Sequence, residues 1–215
     1  MSPMMLQYFE IKKEYQDYLL FYRLGDFYEM FFDDAKIASK ELDLTLTGRD
    51  CGEEERAPMC GVPFHSCDGY IAKLVEKGYK VAICEQTQDP STCKGIVPRE
   101  VIRIITPGTV TLGDALEDGK NNFLATVCID GTKASCAFYD ISDSTMYAVA
   151  LEDSNISSLE RKIINEFAKF SPKEMITNLP EEECPSLAAF MRQTEGNLAD
   201  CGMYDLFEDK NIPAL

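Results

Sequence analysis

Apolar side chains recur along this chain with two periods, and the changes of period mark its elements. Near the start Met5, Tyr8 and Phe9 share one helical face, while Lys12, Lys13 and Glu14 fall mostly on the solvated side. Ser2 is placed to cap that helix, and Pro3 to fill its first position, where a missing N–H costs nothing. The period then drops to two. Leu19–Leu24 reads as a strand, Gly25-Asp26 as a turn and Phe27–Phe32 as a second strand. Asp33 and Asp34 are suited to cap a helix running to about Glu41, and Leu42–Thr47 alternates like a strand. Glu53–Glu55 reads as a solvated loop. Ser66 predicts another helix start, with Ile71, Leu74 and Val75 inward and Gly78 closing it. Strands at Lys80–Cys84 and Arg99–Ile105 complete a block whose order is mixed α/β, without Rossmann alternation.

Periodicity lapses from Thr106-Pro107-Gly108 through Gly119, where Gly and Pro cluster. This predicts a first domain over 1–107, a linker over 108–119 and a second domain over 120–215. The second opens with three antiparallel strands, near 122–129, 134–140 and 145–151, turning at Asp130-Gly131 and Ser142–Ser144. Ile156, Leu159, Ile163, Phe167 and Phe170 then recur at helical spacing, with Ser157 and Glu160 at capping-box spacing for a helix over about 158–170. Ser171-Pro172 ends it, and Glu174–Thr177 returns as a strand. Three antiparallel strands, a helix and a further strand resemble the opening of an RNase H-like fold. The expected class is therefore mixed α/β throughout: a mixed-sheet domain followed by a partial RNase H-like one.

Composition narrows the function less than the pattern does. A 45% apolar content is enough for packed cores, and no apolar run is long enough to span a membrane. The first residues lack the basic region and apolar core of a secretory signal. Nine cysteines, an odd number with no CxxC pair, suit reduced thiols better than a disulfide framework. Cys51, Cys60, His65 and Cys67 lie close in sequence, but their spacings match no familiar zinc site, so no metal is expected. The net charge of −16 argues against a protein that simply coats nucleic acid. The charge is uneven: 13 Lys+Arg against 18 Asp+Glu in residues 1–107 gives −5, and 8 against 19 in the remainder gives −11.

The most informative run is Phe21-Tyr-Arg-Leu-Gly-Asp-Phe-Tyr-Glu-Met-Phe31. With a period of two, Phe27 and Glu29 share one strand face and Tyr28 takes the other. An aromatic beside a carboxylate, just past a glycine turn, has two readings. Phe27 can be an ordinary core residue and Glu29 a solvated one. Alternatively, Phe27 is a wedge of the kind that DNA-bending proteins insert between base steps, entering where a mispaired step is weakest. Phosphates repel a carboxylate, but a base N–H can donate to it.

A longer set of residues bears on that choice. Ser2-Pro-Met-Met5, Phe21–Phe32, Asp33-Asp34-Ala35, Pro58-Met-Cys-Gly-Val-Pro-Phe-His65, Val81-Ala-Ile-Cys-Glu-Gln86, Asp89-Pro90, Lys94-Gly95 and Arg103-Ile-Ile-Thr-Pro-Gly-Thr109 resemble, in this order, the MutS family of DNA mismatch repair proteins. Asn121–Ala125, Tyr139-Asp-Ile-Ser142 and Phe170–Glu174 resemble that family's connector domain. Here Asp143-Ser144 stands where Thr-Gly is usual, and Leu6 where Gln is common. The resemblance implies that Phe27 stacks on a mispaired base and Glu29 hydrogen-bonds to it. It further implies an ATP-dependent, bacterial, cytoplasmic parent protein that binds mismatched double-stranded DNA as a homodimer and meets a MutL-type partner through the connector. No GxxxxGK[ST] loop occurs in this sequence, so ATP and Mg would belong to a part of the parent outside it, and the chain itself is expected to be non-enzymatic. The connector is expected to be incomplete at its C-terminal end.

Arg49, Arg56, His65, Ser66, Lys94, Arg99 and Arg103 are further candidates for contacts to the DNA backbone, each also readable as an ordinary surface or packed residue. Asp130 and Asp140 fall on the RNase H-like strands without the converging carboxylates a two-metal nuclease needs. A nuclease, a protein-docking module built on the acidic second half, and a repair-unrelated MutS paralogue remain the alternatives at this level.

Overall fold

Leu19–Tyr22 and Val81–Cys84 are apolar at every position, which suits strands covered on both faces, and they pair in parallel inside one sheet. A computed structural model describes residues 1–52, 55–89, 93, 95–110, 121–178, 180–194 and 197–200. Two compact units divide the chain, Met1–Glu117 and Asp118–Leu215.

In chain order the first unit contains α1 (Pro3–Glu14), β1 (Leu19–Leu24), β2 (Phe27–Phe31), α2 (Phe32–Glu41), β3 (Thr47–Arg49), β4 (Ala57–Pro63), α3 (Cys67–Glu76), β5 (Val81–Gln86) and β6 (Arg99–Ile105). Among the described residues these strands form one mixed sheet, ordered β3-β4-β2-β1-β5-β6. Its two faces carry separate cores. Phe21, Tyr28, Met30 and Ile83 pack with Ala35 and Ala38 of α2 and Leu74 of α3. Leu20, Tyr22, Phe31 and Cys84 pack on the other face with Met5 and Tyr8 of α1. The β1–β2 hairpin closes Leu24 against Phe27 around Gly25, whose φ of 58° is free of strain only without a Cβ.

The second unit contains β7 (Phe123–Asp130), β8 (Lys133–Asp140), β9 (Thr145–Glu152), α4 (Ile156–Phe170), β10 (Glu174–Thr177), α5 (Pro185–Gln193) and β11 (Asn197–Asp200). The sheet order is β11-β10-β7-β8-β9: an antiparallel meander extended by two parallel strands. Strict alternation in β7 and β8 puts Ala125, Val127, Cys136 and Phe138 on one face, against Leu159, Ile163 and Phe167 of α4 and Leu187 of α5. Both units are mixed α/β, as the pattern of periods predicts.

Several local expectations are corrected. Asp33 and Asp34 do not cap α2, which starts directly from β2 with Phe31 as its cap residue. Asp34 instead turns inward, accepting from the Leu20 N–H at 3.0 Å and from Lys12 Nζ at 2.9 Å. Leu42–Thr47 is not a strand; pairing begins only at Thr47, in β3. The cap of α4 is Asn155, accepting from the Ser158 N–H at 2.9 Å, and not Ser157. Glu160 is buried and accepts from the Leu187 N–H at 3.4 Å, a longer-range tie than a capping box. Ser66 precedes α3 but bonds back to the Pro63 carbonyl, through a 3-10 turn at Phe64–Ser66. Of the acidic run, Glu53 and Glu54 lie outside the described residues, as does most of the predicted linker.

Candidate nucleic-acid interface

A two-residue turn fixes where the next side chain points. Phe27 is the first residue after Gly25-Asp26, paired with Leu24 on one side and Pro63 on the other. Its ring is 46% exposed, whereas Tyr28, the next residue, is buried. The sheet alternation thus holds at the hairpin tip, and the core reading of Phe27 fails on exposure.

The tip is braced from both sides. Arg23 Nε donates to the Gly25 carbonyl at 2.6 Å, and Nη1 pairs with Glu85 Oε1 at 3.1 Å. The same guanidinium lies 3.6 Å from the centre of the Phe64 ring, a close cation–π stack. The Phe64 N–H donates to the Asp26 carbonyl at 3.0 Å. Tyr28 donates its hydroxyl to Glu85, and burial pushes that phenol well above its usual range. Arg23, Phe64 and Glu85 escape a sequence reading because their partners are up to 62 residues apart. The one local signal is a cation placed two residues before a Gly turn.

Glu29 sits one pleat beyond Phe27, opposite Gly61. Its carboxylate is only partly solvated: Arg49 Nη1, from β3, donates to Oε2 at 2.5 Å. Of the candidate cations, Arg49 is therefore committed to the candidate reader. Arg56 is exposed beside it, its Cβ 3.1 Å from where a Cβ on Gly48 would stand. His65 and Ser66 are exposed in the 3-10 turn that follows Pro63, next to the hairpin. Arg103 is exposed on the edge strand β6, away from the hairpin in sheet order. Lys94 lies outside the described residues.

Arg99 corrects the expectation of a backbone contact. It is only 9% exposed, and it donates to the Arg23 carbonyl at 2.8 Å and to Gln7 Oε1 and the Val97 carbonyl at 2.9 Å each. The guanidinium also lies over the Tyr22 ring at 4.9 Å. Its Nε and Nη1 donors are engaged inside the fold.

Among the described residues no three His, Cys, Asp or Glu side chains converge as metal ligands. Burial pushes the Cys60 thiol up to about 11 and those of Cys84 and Cys136 up to about 12, which keeps them protonated and poor nucleophiles. Asp140 accepts from Asn121 Nδ2, the Asn122 N–H, the Ser142 N–H and Ser142 Oγ at 2.6–2.9 Å. Desolvation alone would raise its pKa, but these bonds together hold it below the ordinary range. Its lone pairs are used in joining the residues before β7 and the turn after β8 to the end of its own strand. Among the described residues no helix is long and apolar enough to cross a membrane.

Comparison with known proteins shows the family of the chain. Residues 2–114 match the family model described as MutS domain I. The chain is 58% identical over 178 residues to the DNA mismatch repair protein MutS of Clostridioides difficile, covering 83% of this chain and 18% of that one. It is 55% identical over 177 residues to the protein of the same name from Ruminiclostridium cellulolyticum, with 82% and 20% covered. The Clostridium perfringens counterpart is 55% identical over 179 residues, with 82% and 19% covered. The chain thus spans about a fifth of the length of these relatives.

Proposed function

Because the chain belongs to the MutS family, of which it carries domain I, we propose that its first unit senses mispaired duplex DNA, with Phe27 as an inserted wedge and Glu29 as a hydrogen-bond acceptor for the mispaired base. The observation that carries this reading is the exposure of Phe27 at a braced hairpin tip, with Glu29 on the same face. An aromatic ring held clear of the core can stack on a base without first leaving a packed site. A mismatched step has less stacking and pairing to lose, so the same wedge enters it at lower cost than a matched step. Arg56, His65 and Ser66 are exposed, the last two in the turn just after the Pro63 that pairs with Phe27, and in this reading they are the candidates for flanking phosphates.

The second unit, in this reading, is the front of a connector domain that offers an acidic surface to a MutL-type partner. The lengths of the relatives support a longer parent; in this reading that parent is cytoplasmic and homodimeric, and ATP and Mg belong to its domains outside this sequence. This chain then contributes recognition and no catalysis. The division into a domain over 1–107 and another from 120 onward is tested by limited proteolysis, which should cut first between about 107 and 120.

The decisive experiment titrates full-length protein on a G·T heteroduplex and its matched duplex at one salt concentration. Base–aromatic stacking contributes roughly 1–3 kcal/mol per base, so Phe27→Ala should cost about ten- to a hundredfold in preference for the heteroduplex. A Phe27→Ala protein with unchanged preference would overturn the wedge assignment.

A further inference from the structure

The Glu29 carboxylate is held on one oxygen only. Arg49 donates to Oε2, while Oε1 has no hydrogen-bond partner among the described residues. Gly61 makes this pairing available. A Cβ at that position would come within 3.2 Å of the Tyr28 carbonyl and 3.4 Å of Glu29 Cγ, so the Glu29 side chain lies over the one residue of β4 that leaves it room. β4 separates β2 from β3, and Arg49 reaches the carboxylate from the far side of it. The pair is only partly screened by solvent, with side-chain exposures of 14% for Glu29 and 36% for Arg49.

We propose that Arg49 is a positioning residue for Glu29, fixing Oε2 so that Oε1 is presented to a base N–H, and cancelling a negative charge that phosphates would repel. The proposal rests on the mismatch-sensing reading above. A carboxylate accepts at both oxygens, so the ion pair and a base contact can coexist without exchange of partners. Holding one oxygen removes rotamer freedom that a free Glu would lose on meeting the base. Pairing also makes the reader nearly neutral, so it can pass along matched duplex without an electrostatic penalty. This role differs from a phosphate contact, in which Arg49 would act independently of Glu29.

A double-mutant cycle separates the two roles. Full-length wild type, Arg49→Ala, Glu29→Ala and the double variant are titrated on the G·T and matched duplexes across a salt series. Arg49→Ala is expected to lower the preference for G·T roughly five- to tenfold, the scale of one charge-assisted hydrogen bond, and to weaken matched-duplex binding through the unmasked carboxylate. In the Glu29→Ala background the same change should alter the preference less than about twofold. Arg49→Lys keeps the charge without the planar fork, so it should restore matched-duplex affinity and only part of the preference. Equal, additive losses on both duplexes in both backgrounds, with the salt slope falling by about one, would make Arg49 a phosphate contact and overturn the proposal. A preference lost in Arg49→Lys as fully as in Arg49→Ala, in step with a collapsed melting transition, would overturn it too. Wild-type preference in Glu29→Ala would instead overturn the reading of Glu29 as a base contact.

Discussion

Glu29 in the first unit and Asp140 in the second are both carboxylates on strands, and their surroundings treat them in opposite ways. Asp140 accepts four hydrogen bonds from three residues and is fully buried. Glu29 is held by one arginine at one oxygen and reaches solvent. A saturated acceptor is part of the architecture: it joins the residues before β7 and the turn after β8 to the sheet. A half-used acceptor, set one pleat from an exposed ring, still has binding capacity. The lesson is that hydrogen-bond saturation separates a spent carboxylate from one that can still accept, where residue type and strand position do not.

The strongest way to break this comparison is Asp140→Ala. It strands a buried backbone N–H at Asn122, so it should destabilise the second unit by about 3 kcal/mol, read from urea unfolding. The comparison also has a pH signature. The pKa of Asp140 is lowered, so the unfolded chain takes up its proton first as pH falls, and stability is lost below about pH 4. Asp34 is the opposite case: burial raises its pKa despite the Leu20 N–H and Lys12, so the folded chain protonates first and stability grows as pH falls toward about 4. Urea midpoints of Asp140→Asn and Asp34→Asn against wild type, taken from about pH 6 to 3, should diverge with opposite sign. A common sign would end the distinction.

Arg23→Ala comes next in size. Loss of its bonds to Gly25 and Glu85 and of the Phe64 stack should cost about 1–2 kcal/mol and loosen the hairpin tip. Mismatch preference should fall while matched-duplex affinity stays within about twofold, because Arg23 is spent inside the fold. Tyr28→Phe removes one hydroxyl donor and should cost about 1 kcal/mol with preference retained. Glu29→Ala should change stability least, within about 0.5 kcal/mol, since partly exposed ion pairs contribute little. Its signature lies in binding: with Arg49 released to meet phosphates, matched-duplex affinity should hold or rise as discrimination falls.

Most of the fold was legible because its strands and helices carry clean periods. Leu19–Leu24, Phe27–Phe31 and the β7–β9 meander follow directly from alternation and turn residues. What local pattern misreads are positions settled by distant partners. Leu42–Thr47 alternates but finds no neighbouring strand before Thr47. Asp34 looks like a cap and is claimed by Lys12 and Leu20. Arg99 looks like a surface cation and is drawn inward by Gln7, 92 residues away. At the candidate site Phe27 and Glu29 were visible as a pair on one strand face. Their apparatus of Arg23, Phe64, Glu85 and Arg49 was not, because it comes from other strands and turns.

The placement of β2 between β1 and β4 also sets how the hairpin bears load. A ring pressed end-on against a stack of bases would push along the strand, so the hydrogen bonds of both ladders resist together in shear. The same ring mounted on an edge strand such as β6 would let its bonds peel one after another. In the proposed reading the tip would then act as a stiff probe and the duplex as the compliant spring. How far a given base step yields would report the step's own softness, with little of the displacement taken up by the protein.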